Sequence, residues 1–160
     1  MSTASFSFDF TEHLNEIKTF RVGITWSIWN EHITSRLLNG ALEELNKWGI
    51  LEQNIVVLPV PGAFELPWGA QQLFENSNVD AVLTLGCVIK GDTPHFDFVC
   101  LGATNGVMQV GLKYNKPCIY GLITTLTEDQ AEDRVGGKNG HKGKEGAQTA
   151  IFQLVHSQKK

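Results

Sequence analysis

The chain has 160 residues, 42% of them apolar and 9% aromatic, with 13 Lys plus Arg against 17 Asp plus Glu, a formal net charge of -4. At this length one globular domain buries about two thirds of its surface, so a core forms without metal or disulfide staples. The acidic balance argues against nucleic acid, which selects a basic footprint, and no apolar run reaches the roughly 18 residues that crossing a membrane requires.

The first residues carry no basic flank followed by an apolar run, so no signal peptide is recognisable. Cys87, Cys100 and Cys118 are odd in number and widely spaced. Reduced thiols and a cytoplasmic location are expected. Phe6, Phe8 and Phe10 alternate with Ser7 and Asp9, the period of a half-buried strand. Three phenylalanines are costly to leave in water, so residues 1–19 are read as an arm that adds a strand to this sheet or a neighbour's. Residues 20–160 form the single domain.

From Phe20 short apolar runs alternate with stretches of helical spacing. Phe20 to Thr25 reads as a first strand, and Ile33, Leu37, Leu38, Ala41, Leu42 and Leu45 then make one helical stripe ending near Gly49. Ile55 to Leu58 is a second strand, punctuated by Pro59, Pro61 and Gly62, with Leu66 to Asn76 helical. Ala81 to Ile89 is nearly continuous in apolar residues, as in a central strand covered on both faces. Phe98 to Tyr114 follows as a helix in which Gly102, Gly106 and Gly111 allow another helix to come close. Cys118 to Ile123 is a fourth strand, Thr127 to Gln130 a capping box opening a short helix through Arg134, and a last helix ends near His156. This order implies parallel strands joined by right-handed crossovers, an open α/β three-layer sandwich.

Ligands of such sheets bind beyond the carboxyl ends of the strands. Four segments fall at that edge: Trp29-Asn30, Gly62-Ala63-Phe64-Glu65, Lys90 to His95, and Thr124-Thr125. The G-x-G spacing, the P-loop and the G-x-S-x-G elbow are all absent, which argues against a dinucleotide site, a P-loop nucleotide site and a serine nucleophile. Arg134, Lys138, Lys142 and Lys144 occur in an acid-free, glycine-rich stretch. That stretch is either a solvated loop or a seat for a phosphate. His95, placed near the strand ends, can exchange protons near neutral pH. Trp29 and Phe64 offer flat apolar surface, and Glu65 either binds hydroxyls or caps its helix.

Four blocks carry a resemblance: Ile28 to Thr34 (IWNEHIT), Pro61 to Pro67 (PGAFELP), Gly86 to Asp97 (GCVIKGDTPHFD) and Arg134 to Gly143 (RVGGKNGHKG). In this order and spacing they resemble the 6,7-dimethyl-8-ribityllumazine synthase family. The resemblance implies a flavodoxin-like sandwich with a four-stranded parallel sheet, its N-terminal strand added to a neighbouring subunit. It implies condensation of 5-amino-6-ribitylamino-2,4-pyrimidinedione with 3,4-dihydroxy-2-butanone 4-phosphate, the penultimate step of riboflavin synthesis, with neither metal nor cofactor. By position, Trp29 stacks on the pyrimidine, Ala63, Phe64 and Glu65 take the ribityl chain, Val88 and Ile89 meet the ring through their backbone, and Cys87 stands beside them. His95 transfers protons, Arg134 grips the phosphate with the backbone around Asp92 and Thr93, and Lys142 lies near the site. Lys90, Asp92 and Pro94 depart from the common residues of the phosphate-side loop.

The same resemblance implies a site between adjacent subunits of a homopentamer, with Tyr120 reaching the next subunit's ligand. The short turn from Gly137 to Gly143 is that of members whose twelve pentamers build an icosahedral 60-mer. Riboflavin synthase is a candidate partner. Two other readings stand beside the synthase. One is a lumazine- or flavin-binding carrier on the same scaffold, which has no need of His95, Glu65 and Arg134 together. The other is a flavodoxin-like electron carrier, whose phosphate loop after the first strand is not visible.

Overall fold

The computed structural model describes residues 8–157. Four strands, β1 (Val22–Ser27), β2 (Ile55–Val60), β3 (Ala81–Ile89) and β4 (Cys118–Thr125), form one parallel sheet in the order β2-β1-β3-β4. The register pairs Val22 with both Ile55 and Ala81, and Val82 with Cys118. The first seven residues of β3 are buried, as a strand flanked on both edges and covered on both faces requires. β1 lies between β2 and β3, so the chain reverses its direction across the sheet there. The crevice beyond the carboxyl ends of β1 and β3 is the place where this topology seats ligands.

Helices α2 (Glu31–Lys47) and α6 (Lys142–Ser157) pack together on one face, and α3 (Leu66–Asn76) and α4 (His95–Tyr114) on the other. Ile33, Leu37, Ala41 and Leu45 of α2 are fully buried in the same core as Ala147, Ala150, Ile151 and Leu154 of α6. Truncating one such leucine to alanine ordinarily costs about 2–5 kcal/mol. The same interface buries Glu44. Its Oε1 accepts hydrogen bonds from Gln148 Nε2 at 2.8 Å, Trp48 Nε1 at 2.8 Å and Lys47 Nζ at 3.2 Å. Burial pushes this carboxyl up, but the donors together outweigh it and hold Glu44 below the ordinary carboxylate value.

Three local expectations change. Phe8 and Phe10 form no strand in this chain. Phe8 lies tilted against Phe152 with centroids 4.4 Å apart, and Phe10 packs edge-on against Trp48 at 5.0 Å. Within one chain these rings rest on α6 and on the residue that closes α2, with no sheet edge taking part. A short turn (Thr11–His13) and α1 (Leu14–Ile17) then lead to β1, with Phe10, Ile17 and Phe20 inside the main core. Phe6 lies outside the described residues.

The second change is at α4, which begins at His95 rather than Phe98, because the Pro94 carbonyl accepts from the Asp97 and Phe98 amides. Of its glycines only Gly106 lets another helix, α3, come close, while Gly102 faces the turn before α3 and Gly111 the segment leading into β4. A Cβ at Gly102 would lie 2.7 Å from the Phe64 ring, and one at Gly106 2.5 Å from Pro67. The third change lies in the glycine-rich stretch, which folds into a hairpin of β5 (Val135–Gly137) and β6 (Gly140–His141). Gly136 and Gly140 supply its left-handed backbone, with φ of 113° and 78°. The preceding helix α5 (Glu128–Glu132) stops short of Arg134. Thr127 accepts from the Gln130 amide at its start, and Gln130 Oε1 accepts from the Leu126 amide. Among the described residues no helix is long and apolar enough to cross a membrane.

Candidate active site

A cavity of about 650 Å³ opens where β1 and β3 end on the α3/α4 face. β1 ends at Ser27, and the backbone then runs beside the end of β2: the Ile28 and Trp29 amides donate to the Val60 and Pro61 carbonyls at 2.9 and 3.0 Å. This holds the Trp29 indole against Gly62, where a Cβ would stand 3.0 Å from the ring. Trp29 is 71% exposed and Phe64 60%, so both faces are open to a flat ligand. Beyond β2 the turn Ala63–Glu65 carries three lining residues. Glu65 Oε2 accepts from the Gly62 amide at 3.0 Å, which fixes the turn and leaves the carboxylate on the cavity rim.

β3 supplies Cys87, Val88 and Ile89, and α4 contributes His95 together with Phe98 and Val99 one turn further on. His95 is exposed at the first position of α4, where a side chain is free to turn toward a ligand. Burial, with Glu128 adding to it, pushes the Cys87 thiol up to about 12, so it serves as neutral wall rather than nucleophile. Burial also raises Cys100, with Asp97 adding to it. Among the sequence-derived candidates, Trp29, Ala63, Phe64, Glu65, Cys87, Val88, Ile89 and His95 therefore share one cavity.

Tyr120, Arg134 and Lys142 do not join them. They line a second cavity of about 510 Å³ between β4, an edge strand of the sheet, and α6. Asp92 and Thr93 line neither cavity and stand exposed in the β3–α4 turn. The four cations of the glycine-rich stretch are not equivalent either. Lys138 pairs with Asp133 at 2.9 Å, Lys142 with Glu145 at 2.6 Å and Lys144 with Glu43 at 3.0 Å. Arg134 forms no ion pair among the described residues. Its Nη1 donates to the Gln130 carbonyl at 2.6 Å, so this cation is held in place but not neutralised. Tyr120 is hydrogen-bonded to Thr104, and burial raises its phenol above the ordinary value.

Sequence reading placed Asn30 at the ligand edge without giving it a role, and it missed Pro61, Phe98 and Val99 as lining residues. The last two were legible in principle: with the helix begun at His95, positions three and four residues later fall on the same face.

An aromatic-walled crevice at the switch point of a parallel sheet, with a carboxylate on its rim and an imidazole at its mouth, defines an α/β enzyme acting on a flat polar ring. The profile of the 6,7-dimethyl-8-ribityllumazine synthases matches residues 19–158, and the chain belongs to that family. It is 58% identical over 134 residues to the 6,7-dimethyl-8-ribityllumazine synthase of Bacteroides fragilis, covering 84% of this chain and 94% of that one. It is 52% identical over 136 residues to the Parabacteroides distasonis enzyme of the same name, covering 85% of each chain. A third relative of that name, from Phocaeicola vulgatus, is 51% identical over 142 residues, covering 89% of this chain and 84% of the other.

Proposed function

We propose that this chain is a transferase that condenses 5-amino-6-ribitylamino-2,4-pyrimidinedione with 3,4-dihydroxy-2-butanone 4-phosphate, giving 6,7-dimethyl-8-ribityllumazine, phosphate and water, in riboflavin biosynthesis. Family membership supports the reaction, and one observation carries the site: Trp29, Phe64, Glu65 and His95 converge on a single cavity. Trp29 stacks on the pyrimidine, and the Val88 and Ile89 backbone meets its polar edge. Ala63, Phe64 and Glu65 hold the ribityl chain. His95 moves the protons that Schiff-base formation, phosphate elimination and ring closure require, and holding both reactants together removes most of the entropic barrier.

Phosphate binding falls to Arg134, aided by the backbone at Asp92 and Thr93. In a single chain Arg134, Tyr120 and Lys142 belong to the other cavity, so the complete site forms where the β4 edge of one copy meets the α4 mouth of the next. The exposed row Phe98, Leu101, Met108 and Leu112 along α4, each more than 60% accessible, supports such packing. A homopentamer satisfies this head-to-tail arrangement. The compact hairpin at Val135–His141 suits closure of twelve pentamers into a 60-mer, which sedimentation velocity checks directly.

The test is complementation. His95→Ala chains, with kcat lowered about a hundredfold, and Arg134→Ala chains, assayed with the phosphorylated substrate well below their raised KM, are unfolded, mixed and reassembled. About a quarter of the sites then pair an intact His95 with an intact Arg134, and phosphate release and lumazine absorbance return accordingly. No recovery, with co-assembly confirmed, defeats the shared site. A carrier on this scaffold would bind the lumazine without accelerating its formation, and the wild-type assay separates the two readings.

A further inference from the structure

Among the described residues three non-glycine positions have positive φ, and all are asparagine: Asn30, Asn78 and Asn115. Asn115 caps the C-terminus of α4, but Asn30 opens α2, where a cap residue is normally extended and its side chain accepts from the first turn. Asn30 does neither. Its φ and ψ are 61° and 42°, it makes no side-chain cap, and its Nδ2 donates across 57 positions to the Cys87 carbonyl at 3.0 Å. Only the nitrogen end of the amide can meet a carbonyl, which settles the side chain's orientation.

The Cys87 carbonyl needs that donor. The β1–β3 ladder ends at the Trp26–Leu85 pair, whereas the β3–β4 ladder continues to Ile89–Thr125. Toward β4 the tip of β3 is held further by the Lys90 amide, which donates to the Thr125 carbonyl at 2.8 Å. Toward β1 the strand has already turned away, and Asn30 takes the place of the missing rung. Its neighbours are Trp29 on one side of the cavity and Val88 and Ile89 on the other.

We propose that Asn30 is a positioning residue for the pyrimidine site: its left-handed backbone turns Trp29 over the cavity, and its amide fixes the spacing between the indole and the Val88–Ile89 edge. This rests on the function proposed above. Two variants isolate it. Asn30→Gly keeps the backbone freedom and deletes the brace, and Asn30→Asp keeps the shape but cannot donate. We expect both to raise KM for the pyrimidine about five- to tenfold, the scale of one lost hydrogen bond. Affinity for a ribityl-pyrimidinedione lacking the reactive 5-amino group should fall alike. KM for the phosphorylated substrate stays within about twofold, and the unfolding midpoint of Asn30→Gly falls by no more than about 4 °C, since relief of the left-handed strain offsets part of the lost hydrogen bond. An unchanged pyrimidine KM overturns the proposal, as does a parallel rise in both KM values with a midpoint lowered beyond that, which marks a merely structural role. If wild-type chain forms no lumazine, the functional reading falls and the analogue titration decides: weaker binding by Asn30→Gly keeps the brace, and equal or absent binding ends it.

Discussion

The two cavities of this chain are complementary in chemistry and separate in space. The first is walled by Trp29, Phe64, Phe98, Val99 and a neutral Cys87 thiol, and its titratable groups are Glu65 and His95. The second has lysine, arginine and glutamate around one aromatic edge, and its only cation outside an ion pair, among the described residues, is Arg134. One suits a heterocycle with a hydroxylated tail, the other an anion. Neither suits a reaction that joins the two. In the function proposed above, the two halves of the site lie on different edges and come together through contact between copies, which makes the oligomeric surface part of the chemistry.

The strongest way to break this comparison is to prevent that contact. Leu101→Glu with Met108→Glu places two carboxylates on the exposed α4 row. We expect a folded monomer in sedimentation velocity with no measurable turnover, because an unpaired charge in an apolar interface is strongly disfavoured. A monomer that retained full activity would show that one chain suffices. Next in size is His95→Ala, expected to lower kcat about a hundredfold while assembly and unfolding midpoint hold. A smaller effect sharpens the contrast: Arg134→Ala should raise KM for the phosphorylated substrate tenfold or more and leave the pyrimidine KM within about twofold. Equal changes in both would mean that the cavities do not divide the substrates.

The smallest effect concerns the hairpin between Arg134 and Lys142. His141 packs against Gly40 of α2 with Nδ1 buried. Burial first, then Lys144 and more weakly Arg36, holds this imidazole below its ordinary value of 6.5, against the opposing pull of a hydrogen bond to its own backbone and of Glu43. The unfolded chain therefore binds the proton more readily than the folded one. The stability His141 contributes is complete above pH of about 6.5 and fades as pH falls toward its lowered folded value. Unfolding midpoints at pH 7.5 and 5.5 should differ less in His141→Gln than in the wild type. An identical difference in the two proteins would assign the acid sensitivity elsewhere.

Much of the fold was legible because the alternation of apolar runs and helical stripes is strong, and each strand of the four-stranded sheet was placed within a few residues. The wall of the first cavity was legible for the same reason, since strand ends fix where Trp29, Phe64, Val88 and His95 must lie. What sequence could not supply was partition. The resemblance assigned Tyr120 to the next subunit's ligand but gave Arg134 the phosphate without saying which copy supplies it, because strand order, which makes β4 an edge strand, is not encoded in any local period. The fate of Phe8 and Phe10 was hidden similarly, because alternation does not distinguish a ladder from two rings seated on helices. The charge run from Arg134 to Lys144 looked unopposed because Asp133, Glu145 and Glu43 lie just outside it or far along the chain.

The hydrogen bond between Glu44 and Gln148 spans 104 positions and lies at the centre of the α2–α6 contact. Until α6 has left the ribosome, Glu44 has no amide to meet it and the apolar stripe of α2 lacks its partner helix. Folding of this layer therefore waits for α6, and a nascent chain stalled short of Gln148 should remain protease-sensitive however long it waits.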